Sequence, residues 1–198
     1  AGGVAVPLSM SATESELEYV LADSVSHCVV APRELAARVA SLCDRLELQL
    51  VVIEDVPAAT AIALHVADLP RVELQRRAMI LYTSGTTAQP KGVVSTHANI
   101  QSQIEALVEA WSWQATDCIP LFLPLHHIHG IINVVCCALW SGGTIEPLGR
   151  FDIDTVLKRV AADAYSLFLA LPTLYVKLIQ APDALPADTR APTIPGSR

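Results

Sequence analysis

Short apolar runs alternate with stretches of helical period from residue 4 to residue 53, and that rhythm limits the fold more than any other feature. Val4-Ala5-Val6-Pro7-Leu8 reads as a short strand. Ser11 or Thr13, followed three residues later by Glu14 or Glu16, offers a capping box, and Leu17, Val20 and Leu21 then fall on one helical face. Asp23-Ser24 closes the turn before a second strand, Cys28-Val29-Val30-Ala31. Pro32 suits the first position of the next helix, which carries Leu35, Val39, Leu42 and Leu46 inward, and Leu50-Val51-Val52-Ile53 follows as another strand. Strand, helix, strand in succession predicts an α/β fold: a mostly parallel sheet with helices on both faces.

Residues 54–75 have no clean period and read as a connector with one short helix. Beyond them, the buried run Ala78-Met79-Ile80-Leu81-Tyr82 empties into Thr83-Ser84-Gly85-Thr86-Thr87-Ala88-Gln89-Pro90-Lys91-Gly92. These residue types suit a phosphate. Glycines let backbone N–H groups approach an anion, the hydroxyls of Thr83, Ser84, Thr86 and Thr87 add rotatable donors, and Lys91 supplies a compact positive charge behind the stiff Pro90. The spacing is not that of a Walker A loop, and the plain alternative is a Ser/Thr/Gly-rich surface turn. Arg71, Arg76 and Arg77 precede the strand and read as a solvated edge, with polyphosphate binding as the sharper alternative.

As a whole, Tyr-Thr-Ser-Gly-Thr-Thr-x-x-Pro-Lys-Gly resembles the phosphate-loop signature of the adenylate-forming superfamily, which includes acyl-CoA synthetases, luciferases and peptide-synthetase adenylation domains. One position departs: the family usually has glycine where this chain has Ala88. Thr96-His97-x-Asn99, behind the loop, is similar to the family's usual continuation. The resemblance implies that Thr83, Ser84, Gly85, Thr86, Thr87 and Lys91 bind ATP through its phosphates, with Thr86 a candidate contact to Mg2+-bound ATP.

Val93-Val94-Ser95 reads as a return strand, and Thr96 or Asn99 as the cap of a helix whose stripe is Ile100, Ile104, Leu107, Val108 and Trp111. The next strand, residues 119–125, runs into Pro124-Leu125-His126-His127-Ile128-His129-Gly130. Three imidazoles so close could hold a metal, but no carboxylate or thiol completes a ligand set, and strand alternation would send His126 and His127 to opposite faces. A hydrogen-bonded core histidine is the other plain reading. Pro-Leu-x-His-x-x-Gly also resembles the second signature of adenylate-forming enzymes. That likeness implies a substrate pocket built from His127, His126 and Gly130, with His127 on the wall between carboxylate and nucleotide. The two histidines followed by Ile-His-Gly are most similar to the malonyl-CoA synthetase branch of the acyl-CoA synthetases, and a polar wall suits a short dicarboxylate.

Residues 130–140 read as an apolar helix stopped by Ser141-Gly142-Gly143 before the strand Thr144-Ile145. Phe151-Asp152 opens a helix with Val156, Leu157 and Val160 inward; Ser166-Leu167-Phe168-Leu169-Ala170 reads as a strand and Pro172 as the start of the last helix. Arg150-Phe151-Asp152 and Leu171-Pro172-Thr173-Leu174-Tyr175 also resemble later segments of the family. Residues 182–198 lack any period and are expected to be a disordered tail.

A net charge of −7 argues against nucleic-acid binding through a broad basic face. Five cysteines without a C-x-x-C pair read as reduced core residues and favour a reducing compartment. The uncharged run 118–145 is broken by Pro120, Pro124, the histidines, Gly130 and Asn133, so it reads as buried strand and helix rather than a transmembrane segment. The first residues do not read as a signal peptide, and an intracellular setting, cytoplasm or mitochondrion, is expected.

Members of the family are about three times as long as this chain. Residues 1–181 are therefore expected to be part of the N-terminal AMP-binding domain, with the C-terminal domain and its catalytic lysine absent. The parent activity implied is an acid–CoA ligase that joins a small carboxylic acid to ATP as an acyl-adenylate and passes the acyl group to coenzyme A. The alternative is a truncated chain that binds a nucleotide or a protein partner without turnover. An uncovered sheet edge would then invite a partner chain or an oligomer.

Overall fold

The computed structural model describes residues 2–56, 70–83 and 89–181. Its contacts divide the chain into two units, Ala1–Ala98 and Asn99–Arg198. Of the connector expected at residues 54–75, residues 54–56 and 70–75 are described, and its start carries a single 3-10 turn, Ile53–Asp55; residues 57–69, the centre of the Ser/Thr/Gly loop at 84–88 and the tail from 182 lie outside the described residues.

The first unit opens with α1 (Glu14–Asp23), and Thr13 is its cap. The Thr13 hydroxyl accepts the Glu16 N–H at 3.3 Å while the Glu16 carboxylate accepts the Thr13 N–H at 2.7 Å, so the expected capping box forms and holds the Glu16 carboxyl below its usual range. Strand β1 (Cys28–Ala31), helix α2 (Arg33–Arg45) and strand β2 (Gln49–Val52) complete a parallel crossover in which Cys28 pairs with Gln49 and Ala31 with Val52. Leu17 and Leu21 of α1 meet Val29, Ala31, Val39, Leu42 and Cys43 in one core, with Leu35 and Leu46 packed on its margin. These inward sets are the ones that the helical period marks.

Strand β3 (Arg77–Thr83) buries Met79, Ile80 and Leu81, and β4 (Lys91–Thr96) returns antiparallel to it. The strand expected at residues 4–8 reduces to one parallel bridge, between Ala5 and Met79. Pro7 has no N–H to extend a ladder, which is reason enough for so short a contact. Arg71, Arg76 and Arg77 are solvent-exposed.

Helix α3 (His97–Ala110) leads into the second unit, and of its apolar stripe Ile104 alone is fully buried. Strands β5 (Cys118–Leu121) and β6 (Thr144–Pro147) pair in parallel. Between them runs a π-helical segment (His129–Cys136) that continues as α4 (Cys137–Ser141) and stops at Gly142, in the left-handed conformation with φ 79°. Thus the helix expected at 130–140 exists, but its first part has the wider π winding. Ile119, Ile132, Val134, Cys137 and, from α5 (Ile153–Ala161), Val156 are fully buried. Asp152 caps α5 by accepting the Thr155 N–H at 2.9 Å.

Residues 166–170 form no strand. The Ser166 and Leu167 N–H groups both reach the Cys118 carbonyl, at 3.1 and 3.3 Å, and the segment continues without a ladder to α6 (Pro172–Gln180). Phe168 nonetheless packs on Phe122, ring centroids 5.5 Å apart, and Phe151 meets the same Phe122 ring at 5.2 Å. All five cysteines are free, but Cys43 and Cys137 alone are buried; burial pushes the Cys137 thiol up to about 11. Among the described residues no helix is long and apolar enough to cross a membrane.

Candidate functional site

In the first unit, the loop that begins at Thr83 and returns at Lys91 is the turn of the β3–β4 hairpin. Thr83 and Lys91 are direct partners in the ladder. Opposed residues of an antiparallel pair project to the same face, so the Thr83 hydroxyl and the Lys91 ammonium leave the sheet side by side at the mouth of the loop. Both residues are exposed, and among the described residues Lys91 forms no ion pair. Ser84, Gly85, Thr86 and Thr87 lie outside the described residues.

The hairpin's opposite face explains the last glycine of the motif. Gly92 pairs with Tyr82, and a Cβ built on Gly92 would stand 3.1 Å from the Tyr82 Cζ and 3.0 Å from the Ile80 Cγ2. Without that Cβ, the Tyr82 ring lies across the partner strand and its hydroxyl donates to the Asp23 carboxylate at 2.5 Å. Burial, then this bond to Asp23, raises the Tyr82 phenol far above its ordinary value, so it stays protonated and keeps donating. The Tyr19 hydroxyl donates to the Pro90 carbonyl at 3.1 Å, and the rings of Tyr19 and Tyr82 meet edge to face with centroids 6.4 Å apart. Neither Tyr19 nor Asp23 is marked by the sequence, because their partners are distant along the chain. The one available signal is their spacing of four, which puts both on one face of α1.

In the second unit, β5 ends at Leu121, short of residue 125. His126 and His127 therefore sit in a turn rather than on opposite faces of a strand, and their rings lie side by side with centroids 4.2 Å apart. Burial first, and the neighbouring His127 second, lower the His126 pKa, which favours its neutral form. The turn closes when the His127 N–H reaches the Pro124 carbonyl at 3.3 Å, and the His127 carbonyl accepts from both Gly130 and Ile131 at 3.1 Å. Gly130 is compulsory: a Cβ there would lie 2.5 Å from the Pro124 carbonyl oxygen. The Nε2 atom of His129 is buried without a partner among the described residues. Among those residues no group of three His, Cys, Asp or Glu side chains could hold a metal ion.

A family model described as AMP-binding enzyme matches residues 1–194. The chain is 40% identical over 185 residues to the mitochondrial malonate–CoA ligase of Xenopus laevis, an alignment that covers 90% of this chain and 32% of the relative. Among solved structures, ATP-bound MatB from Rhodopseudomonas palustris superposes with a TM-score of 0.82 at 29% identity, covering 96% of this chain and 38% of that one. A malonyl-CoA ligase in a ternary product complex with methylmalonyl-CoA and AMP superposes with a TM-score of 0.78 at 30% identity, covering 93% and 38%. The chain thus spans about a third of the length of the curated relatives it matches.

Proposed function

The chain belongs to the AMP-binding enzyme family, and from that membership we propose that it carries the nucleotide-phosphate grip and part of the acyl wall of an acid–CoA ligase that acts through an acyl-adenylate. The observation that carries this reading is the pairing of Thr83 with Lys91, which sets a hydroxyl and an ammonium side by side at the mouth of a loop rich in hydroxyls and glycine. In the proposed reaction a carboxylate oxygen attacks the α-phosphorus of ATP and pyrophosphate leaves. The coenzyme A thiolate then attacks the acyl carbonyl and expels AMP. Lys91 and the hydroxyls of Thr83, Ser84, Thr86 and Thr87, with the backbone at Gly85, would hold the β- and γ-phosphates and stabilise the charge that the leaving pyrophosphate gathers.

The donor set of the loop, hydroxyls and one lysine, suits phosphate oxygens and not a bare cation. Mg2+ would accordingly come with the nucleotide, with Thr86 as its candidate contact from this chain. When bound, the ion neutralises phosphate charge.

For the carboxylate, we assign malonate or a similar short diacid. The turn that presents His126 and His127 on rigid backbone supplies polar groups where an alkyl chain would want apolar ones, and the malonate–CoA ligase of Xenopus laevis carries that substrate in its name. That relative's name also supports a mitochondrial setting, with the cytoplasm as the other compartment. Residues 1–181 would form part of the large N-terminal domain, and the exposed apolar side chains support a covering partner chain.

Pyrophosphate release by a full-length enzyme that carries this stretch, with MgATP, coenzyme A and a panel of carboxylates, tests the reading. Malonate should support turnover and octanoate should not, and Lys91→Ala should lower the malonate rate about 100-fold. Turnover with fatty acids alone would overturn the assignment of the acid. ATP binding without pyrophosphate release from any acid would mean a non-catalytic nucleotide-binding chain.

A further inference from the structure

We propose that α1 is a clamp on the phosphate loop and that Tyr19 is a positioning residue for Lys91, a proposal that rests on the reading of the loop as a nucleotide-phosphate grip. Tyr19 and Asp23 lie one helical turn apart on the same face of α1. Each grips a different limb of the hairpin loop. Asp23 accepts from the hydroxyl of Tyr82, next to Thr83 on the outgoing limb, and Tyr19 donates to the carbonyl of Pro90, next to Lys91 on the returning limb.

The Pro90 contact matters because of what a peptide plane transmits. The Pro90 carbonyl shares one rigid peptide plane with the Lys91 nitrogen and Cα, so holding the oxygen restrains the plane from which the Lys91 side chain sets off. Pro90 itself has no N–H with which to join the ladder, and its ring holds φ. Tyr19 supplies the anchor that the ladder does not. The helix in turn is held from its other side, where Leu17 and Leu21 are built into the core with β1 and α2. A run of contacts therefore leads from that core through α1 to the backbone beside the lysine, and a phenylalanine would fill the Tyr19 site without completing it. Edge-to-face packing of Tyr19 on Tyr82 couples the two grips.

The test pairs calorimetric titration of MgATP into the chain with hydrogen exchange of its amides, for the unsubstituted protein, Tyr19→Phe, Asp23→Asn, Asp23→Leu and Lys91→Ala. Tyr19→Phe should weaken MgATP binding by up to about tenfold, the reach of one hydrogen bond. It should also speed exchange at Lys91 and Gly92 while β1 and β2 keep their protection. Asp23→Asn, which retains an acceptor for Tyr82, should lose less affinity than Asp23→Leu. If Lys91→Ala weakens binding and Tyr19→Phe changes neither affinity nor exchange at Lys91, the clamp is wrong. Faster exchange spread evenly through β1, β2 and the hairpin would make Tyr19 a packing residue only and overturn the proposal as well. Binding that Lys91→Ala leaves intact, or no binding by the unsubstituted chain, would instead overturn the phosphate reading; the clamp is then decided by exchange at Lys91 and Gly92 alone.

Discussion

At the residue scale, the firmest constraint is at Gly130, where a Cβ would collide with the backbone oxygen of Pro124 rather than with a side chain able to turn aside. Gly130→Ala should therefore reopen the His127 turn and cost about 2 kcal/mol or more, read as a lowered midpoint in urea unfolding; an unchanged midpoint would mean that the turn relaxes freely. His126 gives a prediction with a sign. Its folded-state pKa lies below the ordinary value of about 6.5, so the unfolded chain takes up the proton first as pH falls. Its contribution is whole above that pH and is lost as pH drops through the folded value, so the urea midpoint should fall between pH 7.5 and pH 5, and His126→Gln should flatten that slope. The glycines show what a motif reveals and what it hides. Gly92 is legible as part of the phosphate signature, yet the space it leaves is used by the Tyr82 ring on its way to Asp23, a partner that no local pattern identifies.

At the scale of elements, the sequence is most readable where one face is apolar and the other is not. Leu17, Val20 and Leu21 mark the buried side of α1, and Thr13 with Glu16 marks its start. Thr13→Ala should cost about 1 kcal/mol in thermal or chemical unfolding, and a neutral result would mean that the box forms without contributing. Where all faces are apolar the signal fails. Residues 130–140 are apolar nearly all round, so no stripe fixes the number of residues per turn, and the π winding of His129–Cys136 cannot be read from them. The run 166–170 has the composition of a strand, but a strand also needs a neighbour with free groups in register, and both N–H groups of Ser166 and Leu167 converge on one carbonyl. At residues 4–8 the same gap between composition and pairing leaves one bridge at Ala5. The position of β5 shows a third case: its end at Leu121 rather than residue 125 is what lets His126 and His127 lie on one side of a turn.

At the scale of the whole molecule, the α/β class follows from the alternation of elements, and the parallel pairs β1–β2 and β5–β6 bear it out, while the antiparallel β3–β4 hairpin serves the loop. What the alternation does not supply is the cover for the outer faces. Val30, Leu139, Ile179 and Trp140 are 63%, 69%, 70% and 53% exposed. A cleft of about 1300 Å3 in the first unit is lined by Val4, Val6, Leu8, Val30 and Val94. Apolar surface on this scale should make the native chain bind an apolar fluorescent dye such as ANS, with binding that falls when Val176 and Ile179 are both replaced by glutamate; dye binding confined to the unfolded chain would contradict it. The decisive measurement concerns the loop. Thermal unfolding of the chain should shift upward with MgATP, by about 2.7 kcal/mol in stability at a hundred times the dissociation constant, and Lys91→Ala should abolish the shift. A cooperative transition that MgATP leaves in place, or a shift that survives Lys91→Ala, would contradict the assignment of the β3–β4 turn as a nucleotide-phosphate grip.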